Sequence, residues 1–426
     1  MRPVLQIMGI VAVFGAASVA WLILGGVTVA RSDDVSASLR GEVQELWGTP
    51  QQQSAPNFRF RWQTEELVER EVATDQGTRL VKELATVTKH ETMSPASTRI
   101  DVELESDLRR KGLVWYSLYD VDLDGAWSYR HQNEREGELV IDFAFPDSSG
   151  VYDNFVFKVN GIDHASELTP LDGTVTYVLP IKKDQVVRVE AGYRSRGVDE
   201  WRYVPAQGVG RIQDLRLTMR TDFAAIDFPS YTLSPNSKTR LDSGWELVWE
   251  FERVVTGYGI GMVTPERIQP GELAASLSFS APISLLFFFL VVFVLATLRR
   301  ISVHPINYLF LAGAFFAFHL LFAYLVDHVA IEVAFVVCSA VSVLLVTTYM
   351  RLVVSTRFAL VESALAQLIY LIGFSLAHFA EGFTGLTVTV LAIATLFLLM
   401  QLTGRIRWAE ILASGSSPEL SDPARS

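Results

Sequence analysis

The sequence is poor in charge and in cysteine. Only 19% of its 426 residues are charged and 50% are apolar, whereas a soluble domain carries about 25% charge. The composition therefore indicates a membrane protein. The single cysteine, Cys338, cannot form an intramolecular disulfide and excludes a structural zinc site built from several cysteines. The net charge of −11 argues against a nucleic-acid partner, which requires a basic surface.

Catalytic motifs are also absent from the sequence, which contains no G-x-S-x-G, H-E-x-x-H or Walker pattern. His90, His131 and His164 are isolated, and we expect them on solvated loops or strands. Residues 120–125 resemble the start of a calcium loop, but position 131, where such a loop ends in glutamate, is a histidine. A strand followed by a turn is the better interpretation. We expect no enzyme activity, no cofactor and no metal.

Several long stretches contain no charge at all. Residues 4–30 are uncharged and exceed the roughly 20 residues that a membrane-spanning helix needs. Because the apolar core of a signal peptide is only about 7–15 residues long, we expect a retained anchor, with cleavage near Thr28 and Ala30 as the alternative. Five further apolar runs predict five more spans: 276–298, 307–326, 329–350, 358–380 and 386–402.

The basic residues between the spans predict the orientation. They fall on one side of the membrane: Arg2, Arg299, Arg300, Arg351, Arg357, Arg405 and Arg407. The turns on the other side carry only Asp327, His328 and Glu381 as charged or titratable groups. The positive-inside rule therefore predicts that both termini are cytoplasmic and that residues 31–272 lie outside the cytoplasm.

Residues 31–272 show the alternation that is typical of β-strands. Apolar and polar residues alternate over 58–62, 99–105 and 138–145, and residues 154–159 precede the turn dipeptide Asn160-Gly161. Further short strands are predicted at 174–179, 185–193, 211–220 and 245–251. This pattern predicts a large antiparallel, sandwich-like domain with one face of each sheet buried. We expect residues 36–46 to continue the first span as a helix.

One part of this domain concentrates aromatic rings and guanidinium groups: Tyr193, Arg194, Arg196, Trp201 and Tyr203. Such a surface can bind a sugar or a partner protein by stacking and bidentate hydrogen bonds. The simpler interpretation, which we favour, is a pair of strands with polar edge residues.

Ionisable residues in or near the spans are functional candidates because a charge in a bilayer is costly. Five such groups are expected near the outer face: Asp327, His328, Glu332, His378 and Glu381. They could form a metal or proton-relay cluster, but a rim of water-exposed side chains needs nothing further to explain them and is favoured. His319 lies deeper, and we expect it to donate to a carbonyl of a neighbouring helix. Glu362 is predicted to reach towards Arg351 or Arg357.

Several short motifs are distributed along the chain. The two longest are Trp47-Gly48-x-x-Gln51, followed by Ala55-Pro56, and His304-Pro305-x-x-Tyr308-Leu309. Others are Phe228-Pro229, Ser243-Gly244-Trp245 with Trp249, Asp327-His328, and Thr403, Ile406 and Trp408 near the end. In this order and spacing, they resemble the motifs of the CreD family of bacterial inner-membrane proteins. Ala55 stands where the family has glycine and Arg407 where it has an acid.

The resemblance implies a bacterial inner-membrane protein associated with cell-envelope integrity, for which no enzymatic activity is established. Residues 31–272 would then be periplasmic. Pro305 suits the first turn of a helix, which places His304 at the cytoplasmic interface, where it could meet anionic headgroups. Tyr308 is expected one turn deeper as an interfacial aromatic.

The sequence therefore predicts a mixed membrane protein: an anchor (1–30), a periplasmic β-rich domain (31–272), a five-helix bundle (273–408) and a disordered tail (409–426). We expect a non-enzymatic scaffold or binding module in envelope integrity or envelope stress, with the lipid bilayer and an envelope protein or glycan as partners. The alternatives are a transporter or lipid-handling protein that uses the ionisable residues at the outer rim, and a metal-dependent enzyme at the same place.

Overall fold

A computed structural model describes residues 3–74, 77–111, 114–206, 208–299, 301–379 and 382–404. Several residues discussed above lie outside these ranges: Arg2, Arg300, Glu381, Arg405, Ile406, Arg407, Trp408 and the tail 409–426.

Six helices in the described ranges are long and apolar enough to cross a membrane. They match the six predicted spans; α1 ends at Trp47, 17 residues after the predicted end, and the other ends differ by at most six residues. The helices are α1 (Pro3–Trp47), α2 (Pro270–Leu298), α3 (Pro305–Leu325), α4 (Ile331–Val353), α5 (Phe358–Phe379) and α6 (Thr384–Thr403). The predicted helix at 36–46 is the last part of α1. Proline at the first turn of α2 and of α3 fits because the backbone N–H that it lacks would have no partner there.

The fifth helix is irregular. Its segments Phe358–Ser363 and Leu368–Gly373 are π-helical and flank the α-helical turn Ala364–Gln367. The amide of Phe374 accordingly bonds to the carbonyl of Ile369, five residues earlier. Such wider turns are rare and occur often at functional sites.

The described residues form two compact units. The membrane unit comprises those up to Ser38, Val114, and those from Ile268 onward, whereas the β domain comprises Leu39–Lys111 and Trp115–Arg267. In the membrane unit, the helices pack through an aromatic core in which the Phe288 and Phe315 rings lie 4.5 Å apart.

The β domain contains fifteen described strands. They are β1 (Gln51–Ser54), β2 (Asn57–Thr74), β3 (Gly77–Met93), β4 (Ser97–Lys111), β5 (Val114–Arg130), β6 (Gly137–Ala144), β7 (Tyr152–Val159), β8 (Ile162–Asp163), β9 (Thr174–Ile181), β10 (Val186–Val198), β11 (Glu200–Val204), β12 (Gly210–Thr221), β13 (Ser237–Leu241), β14 (Gly244–Thr256) and β15 (Ile260–Val263). Each predicted strand coincides with one of them.

The strands form three sheets, with the orders β13-β14-β12-β4-β5-β10-β7-β8, β3-β2-β6-β9 and β1-β11-β15. Most described pairings are antiparallel, but β12 with β4 and β1 with β11 are parallel. Asn160 and Gly161 both have positive φ, which fits the predicted hairpin turn. Residues 120–125 lie inside β5, so the turn expected at Gly125 is absent there.

The two larger sheets face each other across a buried aromatic core. Phe58 of β2 stacks on Tyr129 of β5 at 5.6 Å, and Phe143 of β6 lies 6.1 Å from Trp127 of β5. The predicted sandwich-like architecture is therefore confirmed. Apolar residues alternate with polar ones along these strands because each sheet buries one face.

Candidate functional site

The β domain contains a polar cleft of about 680 Å³ beside the end of α1. Residues that are far apart in the sequence meet there: Trp47, Gln51, Glu105, Asp120, Asp147, Asp153, Arg194 and Arg196. The volume lies within the range of about 300–1,000 Å³ that is typical of small-molecule sites.

A glycine at the end of α1 shapes the entrance to this cleft. Gly48 has φ +93°, and its amide donates to the carbonyl of Gln44 at 3.0 Å, as in an αL helix cap. A Cβ at this position would lie 2.9 Å from the carbonyl oxygen of Arg196. Glycine therefore lets the chain turn out of the helix while its backbone approaches β10 closely.

Gln51 joins this turn to β10. Its side chain is buried, and Nε2 donates to Ser195 Oγ at 2.9 Å and to the carbonyl of Arg196 at 2.6 Å. Its Oε1 is buried and has no hydrogen-bond partner among the described residues. The motif Trp47-Gly48-x-x-Gln51 thus supplies an aromatic ring, a close backbone approach and an unused acceptor at one cleft.

Charged groups of both signs line the cleft. Arg196 Nε donates to Asp120 Oδ1 at 2.8 Å, and this bond raises the pKa of Arg196 above its usual value. Asp147 accepts from Thr49 Oγ1 at 2.8 Å. Carboxylates and guanidinium groups beside an indole ring can bind a ligand rich in hydroxyl groups through hydrogen bonds and stacking.

The candidate aromatic partner surface, which was the less favoured interpretation, is wrong for three of its five residues. Tyr193, Trp201 and Tyr203 are each at most 2% exposed and belong to the core of the β domain. The hydroxyl of Tyr203 accepts from Trp127 Nε1 at 3.0 Å, and burial raises the pKa of Tyr193. Arg194 and Arg196 are exposed and line the cleft.

The predicted start of the third span is confirmed in part. His304 caps α3, because its Nδ1 accepts from the amide of Ile306 at 3.3 Å, and Pro305 follows at the first turn. Tyr308, however, is not an interfacial aromatic. Its ring is fully buried and lies 5.1 Å from that of Phe289, in an edge-on contact.

Other intramembrane residues also have partners that differ from the predicted ones. His319 Nδ1 lies 3.0 Å from the carbonyl of Phe315 on its own helix, rather than bonding to a neighbouring helix. Glu362 pairs with Arg299 instead of Arg351 or Arg357.

The ionisable residues of the outer rim do not come together in the described part of the chain. Asp327 forms an ion pair with Arg31 at 3.1 Å, whereas His328 and Glu332 are exposed. His378 instead lines an open groove of about 510 Å³ with Glu272. Among the residues that the structure describes, no group of three or more His, Cys, Asp or Glu side chains could hold a metal.

The sequence analysis, which considered charged and titratable residues in the spans, missed a further set of polar residues. Four neutral polar side chains are buried within α4 and α5: Ser339, Ser342, Ser363 and Gln367. The signal in the sequence is Gln367 within a largely apolar span, four positions after Ser363 and therefore on the same side of the helix.

Comparisons with known proteins agree with the resemblance to the CreD family. Residues 278–409, which are 132 of the 426 residues, match the family model described as "Inner membrane protein CreD". The match begins inside α2 and includes the four later spans, so this part of the chain is similar to the family that the motifs indicate. Together with the six long apolar helices, it supports a multi-pass membrane protein.

Two other comparisons add little. No curated protein matches the chain significantly. A crystal structure of a putative nutrient binding protein from Legionella pneumophila is similar at 11% identity, with a TM-score of 0.27, over 53% of this chain and 82% of that one. A likeness this remote carries no argument about fold or function.

Proposed function

We propose that this protein serves cell-envelope integrity or the envelope stress response as a non-enzymatic binding module. The family match supports the inner-membrane setting. The arginines between the spans support cytoplasmic termini and a periplasmic β domain. A binding role requires a concave surface with convergent polar groups on a rigid scaffold, and the cleft at Gln51 is such a surface.

The observation that carries this proposal is the chemistry of the cleft. Trp47 contributes a partly exposed indole ring, Arg194 and Asp153 contribute exposed charged groups, and Gln51 Oε1 is a buried acceptor without a partner in the described structure. Envelope glycans present hydroxyl and amide groups over an apolar ring face, which these side chains complement. We therefore propose a glycan of the cell envelope as the ligand of the β domain.

Cosedimentation of the full-length protein in detergent with purified cell-wall sacculi tests this proposal. Arg194→Ala and Asp153→Asn should each weaken binding severalfold because both remove a polar group from the cleft wall. Arg240→Ala is a matched control, since Arg240 is an exposed arginine on β13, at the far end of the same eight-stranded sheet. Equal sedimentation of wild type and both cleft variants would contradict the proposal.

A groove in the membrane unit supports the second candidate, lipid handling. Glu272, Ser276, Ser280 and His378 line it. A carboxylate and an imidazole can bind the amine and the phosphate of a zwitterionic headgroup. Native mass spectrometry should then find phosphatidylethanolamine retained by wild type and lost by Glu272→Gln, whereas retention by both would exclude this role for the groove.

A further inference from the structure

The cleft beside the end of α1 carries more negative charge than its ion pairs neutralise. Its lining includes five carboxylates and two guanidinium groups, all of them in the β domain: Glu45, Glu105, Asp120, Asp147, Asp153, Arg194 and Arg196. Arg196 Nε donates to Asp120 Oδ1 at 2.8 Å, and Arg194 Nε lies 3.5 Å from Asp122 Oδ2. Both guanidinium groups therefore already have a carboxylate partner within the protein.

Three of the lining carboxylates have no such partner. Glu45, Glu105 and Asp153 are exposed, and within the described ranges no hydrogen bond or ion pair involves their side chains. Asp147 differs, because its carboxylate accepts from Thr49 Oγ1. The three unpaired carboxylates leave negative charge around one cavity, and such a field attracts a positively charged ligand.

A metal ion does not account for these three carboxylates. Among the described residues, no group of three or more acidic, histidine or cysteine side chains could hold a metal ion. The acids are instead distributed around a cavity of about 680 Å³. A calcium ion needs several oxygens at one point, whereas a primary ammonium group brings its own N–H donors and can pair with a single carboxylate. The arrangement therefore suits a ligand with amino groups along its length.

Gln51 gives a second, independent indication of a ligand that donates hydrogen bonds. It lines the same cleft and is 3% exposed. Its Nε2 donates to Ser195 Oγ and to the carbonyl of Arg196, which fixes which end of the amide is the oxygen. That oxygen has no hydrogen-bond partner in the described structure. An amide oxygen and an ionised carboxylate can only accept, so the ligand must supply N–H or O–H groups.

The aromatic ring of the cleft favours a sugar over a bare amine. Trp47 contributes a partly exposed indole, against which the apolar face of a sugar ring can pack. We propose that the cleft selects a glycan with free primary ammonium groups, which an amino sugar carries when its nitrogen is not acetylated. This inference rests on the proposed function and specifies the sugar that the cleft recognises.

Isothermal titration calorimetry of the full-length protein in detergent tests this inference with two matched sugars. The probes are the hexamers of glucosamine and of N-acetylglucosamine, in mildly acidic buffer of constant ionic strength, where the free amines are protonated. The glucosamine hexamer should bind about tenfold more tightly, because several exposed charge pairs each contribute a factor of a few. Equal affinities, or no binding of either hexamer, would overturn the inference. Binding to sacculi would persist in that case if the proposed function is correct, so the two failures are distinguishable.

Three variants and one peptide separate the cleft from the overall charge of the protein. Glu45→Gln and Glu105→Gln should each weaken binding of the glucosamine hexamer severalfold and leave that of the acetylated hexamer unchanged. Glu252→Gln is the matched control, because Glu252 is an exposed glutamate of β14 that does not line the cleft. If all three variants bind the glucosamine hexamer equally, the net charge of −11 attracts it and the inference is wrong. If a lysine hexamer binds as tightly as the glucosamine hexamer, the cleft recognises amines on a peptide, which would also overturn the inference.

Discussion

Replacing Gly48 by alanine tests how α1 ends and how the cleft begins. A residue with a Cβ pays about 1–2 kcal/mol for the left-handed conformation that Gly48 adopts. The new Cβ would also lie 2.9 Å from a backbone oxygen of β10, which cannot move as freely as the tip of a side chain. Alanine restricts the unfolded chain and so returns about 0.5 kcal/mol. The net loss should be about 2 kcal/mol, or roughly thirtyfold in the unfolding equilibrium.

Gly41 supplies the matched control within the same helix. It lies inside α1, and a Cβ there would have no heavy atom within 4 Å outside its own helical turn. Alanine is favoured over glycine by about 0.5–1 kcal/mol in a helix interior. The same substitution seven residues apart should therefore have opposite signs.

Urea unfolding of the full-length variants in detergent, followed by tryptophan fluorescence, measures both effects. Trp127, Trp201 and Trp249 are buried in the β domain and report its unfolding. If Gly48→Ala is as stable as wild type, the helix does not end in the left-handed cap described here. If Gly41→Ala is destabilising, the α1 segment is not a regular helix at that point.

Three further substitutions test the electrostatics and the core. Burial raises the pKa of Asp199. Its ionisation therefore lowers the free energy of unfolding of wild type as pH rises above about 4, the pKa of an aspartate in the unfolded chain. In urea unfolding, Asp199→Asn should become more stable relative to wild type between pH 3 and pH 7. Arg31→Gln leaves Asp327 unpaired and should lower the free energy of unfolding by about 1–2 kcal/mol. The double variant Arg31→Gln with Asp327→Asn should recover part of the lost thermal midpoint, because it removes the unpaired charge. If the two substitutions lower stability additively, the ion pair is refuted. Trp201→Ala should lower the free energy of unfolding in urea by about 3–5 kcal/mol, because Trp201 is fully buried. Arg194→Ala, at an exposed position, should lower it by less than about 0.5 kcal/mol. Similar losses for the two variants would contradict the burial described.

Periodicity was sufficient to predict the spans and many of the strands, because both depend on local sequence, but it did not predict β3 or the short strands β1 and β15. It also contained the signal that Tyr193 is buried: Val187, Val189 and Ala191 lie at alternate positions on the same face of β10, and all are buried. Charge and aromatic content drew attention to the residues as a group, although adjacent residues of a strand point to opposite faces. The face of the strand on which a residue lies, which alternates from one residue to the next, is therefore the better guide to a binding surface.

The same argument applies to Tyr308 in the third span. Its position precedes Leu311, Phe315, Phe318 and Phe322 by steps of three or four residues, and all five are buried. This spacing defines one face of a helix, which packs against the bundle. The preference of tyrosine for membrane interfaces is a statistical tendency, and here the helical face decides the burial.

The cleft could not be predicted from the sequence in this way. Its central hydrogen bond joins Gln51 to Ser195, 144 residues further along the chain. Only the parallel pairing of β1 with β11 and the antiparallel position of β10 beside β5 bring the two ends of this contact together. Pairings of this kind depend on the whole sheet rather than on a local pattern.

The buried polar residues of α4 and α5 show why ionisable residues alone are an incomplete guide to the interior of a membrane protein. A charged side chain near the end of a span can reach water or a partner, as Asp327 does with Arg31. A glutamine at the middle of a span cannot reach either interface, so its polar atoms must find partners inside the protein. Gln367 Nε2 accordingly donates to Ser342 Oγ, and Ser342 Oγ donates to the carbonyl of Ala314, so that one chain of hydrogen bonds joins α5, α4 and α3.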